Sequence, residues 1–138
     1  MPLNVLIIED NPMYAMLLEK ALDRQGDCVC RVIVHGDRAV EFLQMLARDR
    51  RELPDLILLD LNLPGTDGVG VLNFVRNTPD LEHIPVTVVS SSPKDILARK
   101  AANADSYVTK PSSLEEFLDL GSELLSSVRR GKTLGGAG

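Results

Sequence analysis

Apolar residues in this chain gather into short, nearly continuous runs, and after each run they recur every three or four positions. The runs lie at residues 5–8, 28–34 with Arg31 inside it, 56–60 ending in Asp60, 84 with 86–89, and, more weakly, 106–109. An unbroken run of four to eight apolar residues predicts a strand buried on both faces, and spacing near 3.6 predicts an amphipathic helix. Each predicted helix carries its own start signal. Asn11 caps and Pro12 takes the first helical position, before Tyr14, Leu17, Leu18, Ala21 and Leu22 repeat at i, i+3, i+4, i+7 and i+8. Gly36-Asp37 opens a second helix with Val40, Leu43 and Ala47 facing inward, and the charged residues 48–52 form its solvated end and the loop beyond. Pro64, Gly65 and Gly68 break the third strand, and Asp67 caps a helix over 69–76. After the loop 78–83 and the fourth strand, Ser92, Pro93 and Asp95 start a helix that runs to about Ala102. Ser113 opens the last one, with Leu114, Phe117, Leu118, Gly121, Leu124, Leu125 and Val128 on one face and Arg129 and Arg130 at its negative end.

Strand and helix thus alternate five times, and the helices are long enough for right-handed crossovers between parallel strands. The expected fold is α/β: a doubly wound, five-stranded parallel sheet of order 2-1-3-4-5 with five helices. One domain over 1–130 accounts for it. Residues 131–138 hold four glycines in eight positions, so they are expected to be a disordered tail or an expression-vector remnant.

Composition narrows the function classes. A length of 138 residues, 44% of them hydrophobic and 25% charged, suits a single globular domain with no room for a second. No apolar run approaches a membrane span, and Met1-Pro2-Leu3 leads into a strand without a secretory signal, so the cytoplasm is the expected compartment. Fifteen basic against twenty acidic residues give a net charge of −5, and with three Phe, two Tyr and no Trp there is little for bases to stack on. Nucleic acid and membrane are therefore not expected partners. Cys28 and Cys30 lie two apart on a strand and share one face; without His35 or His83 at a ligand spacing they are expected to be buried, reduced thiols rather than a zinc site.

The chemistry-bearing residues stand at strand ends: Glu9 and Asp10 after the first, Asp60 after the third, Ser90 after the fourth and Lys110 after the fifth. Parallel strands bring these ends to one edge, and in the order 2-1-3-4-5 the first and third strands meet at the switch point, where ligands bind. Any one of these residues is ordinary turn material. As a set, three converging carboxylates repel one another unless a cation joins them. Oxygen ligands without His or Cys point to magnesium. A metal, a lysine and a hydroxyl around a carboxylate make a site for a phosphoryl group, with the carboxylate as acceptor.

The stretches Val-Leu-Ile-Ile-Glu-Asp-Asn, Leu-Ile-Leu-Leu-Asp-Leu-Asn-Leu-Pro-Gly-Thr-Asp-Gly, Val-Val-Ser-Ser-Ser and Tyr-Val-Thr-Lys-Pro resemble the receiver domain of bacterial two-component response regulators over residues 3–129. The resemblance implies a flavodoxin-like receiver fold and a phosphoacceptor at Asp60. It implies Mg2+ held directly by Asp10 and Asp60 and by the backbone carbonyl of Asn62, with Glu9, where many relatives have Asp, acting through a metal-bound water. Ser90 and Lys110 would contact phosphoryl oxygens, Lys110-Pro111 would be a cis peptide, and Tyr107 would change rotamer as Ser90 moves. A strand aromatic half in the core also describes Tyr107. The phosphodonor would be a sensor histidine kinase, and the signal would pass to a partner protein, a phosphotransfer protein or a homodimer.

The loops around Asn62 and over 78–85 look most like small receivers paired with cyanobacterial-type phytochrome kinases, which points to a bacteriophytochrome. Such relatives are often homodimers, and Leu97 and Leu120, off the inward stripes, are the leucines available for that surface. Three other readings fit less well. An unphosphorylated interaction module has no need of the full acid and lysine set. A dehalogenase-type phosphatase wants a second Asp two residues on, where Asn62 stands, and a nucleotide-binding domain wants glycines where Glu9-Asp10-Asn11-Pro12 stands.

Overall fold

The computed structural model describes residues 2–93, 96, 99–126 and 128. Five strands form one parallel sheet of order β2-β1-β3-β4-β5, comprising β1 (Leu3–Ile8), β2 (Cys28–Ile33), β3 (Leu56–Leu59), β4 (Val86–Ser90) and β5 (Ser106–Thr109). Between and after them lie helices α1 (Pro12–Asp23), α2 (Gly36–Arg48), α3 (Gly68–Asn77), α4 (Leu114–Leu118) and α5 (Gly121–Leu124). The central strands β3 and β4 are buried at every position, as unbroken apolar runs require, whereas the edge strand β2 leaves Val29 55% exposed.

Side chains alternate between two cores, one on each face of the sheet. Leu6, Ile8, Ile57, Leu59, Val86 and Val88 pack on Ala39 and Leu43 of α2 and Val71, Leu72 and Val75 of α3. Val5, Ile7, Leu56, Leu58, Val89 and Val108 pack on Leu18 and Leu22 of α1, Phe117 of α4 and Leu124 of α5. Helices on both faces make the sheet doubly wound, as the sequence predicts.

The caps fall where expected. Asn11 accepts from the Met13 and Tyr14 amides, Asp67 from Gly70 and Ser113 from Glu116. The buried stripe of α2 sits one residue off the expectation: Ala39 and Leu46 are buried, and Val40 and Ala47 only half so. His35 caps this helix, its Nδ1 accepting from the Asp37 amide at 3.2 Å.

The last helix is not continuous. The Leu120 amide bonds back three residues to the Phe117 carbonyl at 3.2 Å, a tighter winding than α-helix, and a new turn starts at Gly121. Gly121 is needed there because a Cβ would meet the Ala21 carbonyl oxygen at 2.3 Å. The tighter turn also carries Leu120 into the second core, which corrects its reading as an outward leucine. Of the helix expected to reach Ala102, Ile96, Arg99 and Lys100 are helical. Asp95, Leu97, Arg129, Arg130 and the tail 131–138 lie outside the described residues. Cys28 and Cys30 form no disulfide, are half-buried rather than buried, and face the second core together. Burial, reinforced by the neighbouring Cys28, pushes the Cys30 thiol up to about 12.

Candidate functional site

Register places the acids. Ile8 of β1 pairs with Leu59 of β3, so the next residues, Glu9 and Asp60, leave the sheet side by side. Both are anchored by their backbones, the Asp60 amide on the Ile8 carbonyl at 3.0 Å and the Glu9 amide on the Ile33 carbonyl at 3.1 Å. Glu9 is 1% exposed, Asp60 6%, and Asp10 faces solvent. Carboxylate oxygens of the three lie within 4.8 Å of one another. The sequence set therefore does converge.

Backbone donors hold two of these carboxylates. The Asn62 amide donates to Asp60 Oδ1 and the Asn11 amide to Glu9 Oε2, each at 3.2 Å. The charge that balances them comes from the residue that follows β5. Lys110, with 5% of its side chain exposed, sets its Nζ 2.5 Å from Glu9 Oε1 and 3.8 Å from Asp60 Oδ2. In this arrangement the ammonium is engaged more closely by Glu9 than by Asp60. Burial raises the Glu9 carboxyl to about 7, helped by the Asp60 charge and opposed by Lys110.

One participant was not legible beforehand. Lys110 Nζ also lies 4.0 Å from the centroid of the Tyr14 ring, which in turn stacks on Phe117 at 5.6 Å. A cation over an aromatic face is steadied by the ring quadrupole. Tyr14 was visible only as a member of α1's inward stripe, and no local signal links it to a lysine far along the chain.

Ser90 ends β4 and is 1% exposed, its Oγ without a hydrogen-bond partner among the described residues. A buried hydroxyl with no partner is costly unless a ligand completes it. Its carbonyl takes the Lys110 amide at 2.8 Å, and the Thr109 hydroxyl donates to the Ser92 carbonyl at 2.9 Å. Tyr107 is half-buried against the first core, its hydroxyl donating to the Ala101 carbonyl at 2.5 Å. The Lys110-Pro111 bond is not cis, contrary to what the resemblance implies, and no cis peptide occurs among the described residues. The trans form of such a bond is the favoured one by roughly 0.5–1 kcal/mol, and the Lys110 amide is already tied to β4.

Hard oxygen donors, an ammonium and an unpartnered hydroxyl around one carboxylate fit a small divalent cation together with an oxyanion. Size alone would not have found this place. A groove of about 720 Å³ lined by Leu6, Val29, Arg31, Phe42 and Met45 lies elsewhere and shares no residue with the acids.

Sheet order, strand-end acids and the Lys110 bridge together define a phosphoacceptor domain, and the chain belongs to the response regulator receiver domain family, which it matches over residues 5–120. It is thus a receiver of two-component signalling, a signalling protein rather than an enzyme; receivers bind a divalent cation and imply a cognate histidine kinase. Within the family it is similar to the probable methanogenesis regulatory protein FilR2 of Methanothrix harundinacea, 36% identical over 120 residues, covering 84% of this chain and 77% of that one. It is likewise similar to response regulator Rcp1 of Synechocystis, 32% identical over 123 residues, covering 86% and 84% of the two chains. The Mn2+-bound crystal structure of Rcp1 superposes with a TM-score of 0.79 at 30% identity, over 91% of this chain and 93% of that one. The phosphorylated cyanobacterial phytochrome response regulator RcpA gives 0.81 at 28% identity, over 92% and 96%. No helix among the described residues is long and apolar enough to cross a membrane.

Proposed function

We propose that Asp60 is the residue that accepts the phosphoryl group. The observation that carries this reading is its setting: Asp60 follows β3, the strand between β1 and β4, so it lies between Glu9 and Asp10 on one side and the unpartnered Ser90 on the other, with the buried Lys110 ammonium 3.8 Å away. Asp10 and Asp60 would hold the cation directly, Asn62 through its backbone carbonyl and Glu9 through a water. A bound Mg2+ supplies charge neutralisation to the incoming phosphoryl oxygens. The protein's own residues do the rest. Asp60 attacks the phosphorus and displaces the donor's imidazole. Lys110 shifts from Glu9 towards a phosphoryl oxygen, and Ser90 donates its free hydroxyl to another. Both contacts favour the phosphorylated state, so they bias β4, β5 and the segment between them, with Tyr107 as the reporter of that shift.

The likeness to phytochrome response regulators supports a bacteriophytochrome as the donor kinase, working in the cytoplasm. The receiver unit over 1–130 would pass its state to a partner protein, a phosphotransfer protein or a second copy of itself. The test is intact mass after incubation with Mg2+ and acetyl phosphate. A gain of one phosphate, lost with chelator and in Asp60→Asn, is expected; a gain that survives in Asp60→Asn would overturn the assignment.

A further inference from the structure

The loop that joins β3 to α3, residues 61–67, carries the carbonyl of Asn62 and is fastened at its base. Leu61 and Leu63 are each 8% exposed in the first core, and the Gly68 amide returns to the Leu61 carbonyl at 3.0 Å. A Cβ on Gly68 would lie 2.4 Å from the Asp60 carbonyl oxygen, so the two ends of the loop touch.

Its tip is fastened separately, by the turn between β2 and α2. Both the backbone amide and the hydroxyl of Thr66 donate to Asp37 Oδ1, the amide at 3.0 Å. The Gly36 amide donates to the Pro64 carbonyl at 3.1 Å. The two turns meet so closely that a Cβ on Gly36 would collide with the Thr66 carbonyl, and one on Gly65, where φ is +75°, would stand 2.2 Å from the His35 ring. The Thr66 bonds hold the Asp37 carboxyl below its usual range, as bonds made to a charged acceptor do. Neither Asp37 nor Thr66 belongs to the converging acids, and nothing in the reading of the site uses them.

We infer that Asp37 and Thr66 are positioning residues for the cation: their bond fixes the tip of the 61–67 loop and so presets the Asn62 carbonyl that the metal needs. The inference rests on the reading of Asn62 as a ligand. An ordered loop binds more tightly because less conformational freedom is lost when the ligand arrives. Loss of the bond should weaken metal binding while leaving the Asp60 chemistry intact once metal is saturating.

The probe is Mn2+ alone, its free concentration read by electron paramagnetic resonance, with amide hydrogen exchange on the metal-free protein beside it. Asp37→Ala and Thr66→Val should each raise the dissociation constant about three- to tenfold, the scale of one hydrogen bond to an exposed charge. The double variant should be no worse than Asp37→Ala alone, because Thr66→Val keeps the amide bond to Asp37 and Asp37→Ala loses both bonds, and Thr66→Ser should restore binding. The Gly36 amide should exchange faster in both single variants, and the maximal rate of acetyl phosphate labelling at saturating Mg2+ should match the wild type. Wild-type Mn2+ affinity in both variants, or a lower maximal rate with unchanged affinity, overturns the inference. Asp10→Asn separates the two claims. If it binds Mn2+ normally, the metal site itself is misplaced and both fall; if it loses Mn2+ while Asp37→Ala and Thr66→Val do not, only the positioning role falls.

Discussion

Lys110 is the residue on which the resting site turns. Its ammonium is the nearest compensation for two buried carboxylates, and removing one partner of a buried pair leaves an uncompensated charge. Lys110→Ala should therefore lower metal-free stability by about 3–5 kcal/mol in urea unfolding. Added Mg2+ should recover more stability in the variant than in the wild type, while phosphorylation persists but no longer shifts the protein's state. A variant as stable as the wild type without metal would show that the Lys110 pairs carry nothing. Cys30 offers an independent check on how closed the β2 face is. Its thiol titrates at about 12 when folded against about 9 otherwise, so the protonated form is favoured by the fold. That contribution is fully present below pH 9 and is lost as pH rises towards 12. At pH 8, alkylation of Cys30 should run at least about tenfold slower in the folded protein than in urea, and equal rates would contradict its burial. At this scale Glu9, Asp10, Asp60, Ser90 and Lys110 were legible because strand ends concentrate chemistry on one edge. Tyr14 under Lys110, and the preference of Lys110 for Glu9, were not, because each depends on where two distant elements come to rest.

Among the elements, glycines mark the places where packing overrules pattern. Gly121 divides what periodicity presents as one helix, since repeating leucines are equally compatible with a continuous helix and with two short ones, and only the approach to Ala21 distinguishes them. Gly121→Ala should cost about 1–3 kcal/mol of stability by overpacking against the α1 backbone. Gly68→Ala, directed at the Asp60 and Leu61 backbone, should cost a similar amount and also slow phosphorylation, because it displaces the start of α3 next to the acceptor. Urea midpoints for the two variants, together with labelling rates, test this; unchanged midpoints would mean the contacts relax at no cost. Caps, by contrast, are local, which is why Asn11, Asp67 and Ser113 could be read directly.

Taken whole, the molecule shows why the sheet order was accessible and its fine connections were not. Alternating strand and helix with two distinct apolar faces admits few topologies, and the junction of β1 with β3 follows from placing acids at a switch point. Contacts such as Arg76 with Asp105, or Asp37 with Thr66, join polar residues outside the core that have no periodicity to betray them. The central claim is that this receiver carries its phosphate on Asp60, and it is met most directly by locating the acyl phosphate. After labelling with acetyl phosphate and Mg2+, borohydride reduction and peptide mass spectrometry should place homoserine at position 60 and nowhere else. Homoserine at position 10, or 2-amino-5-hydroxypentanoic acid from a reduced glutamate at position 9, with residue 60 intact, would contradict it.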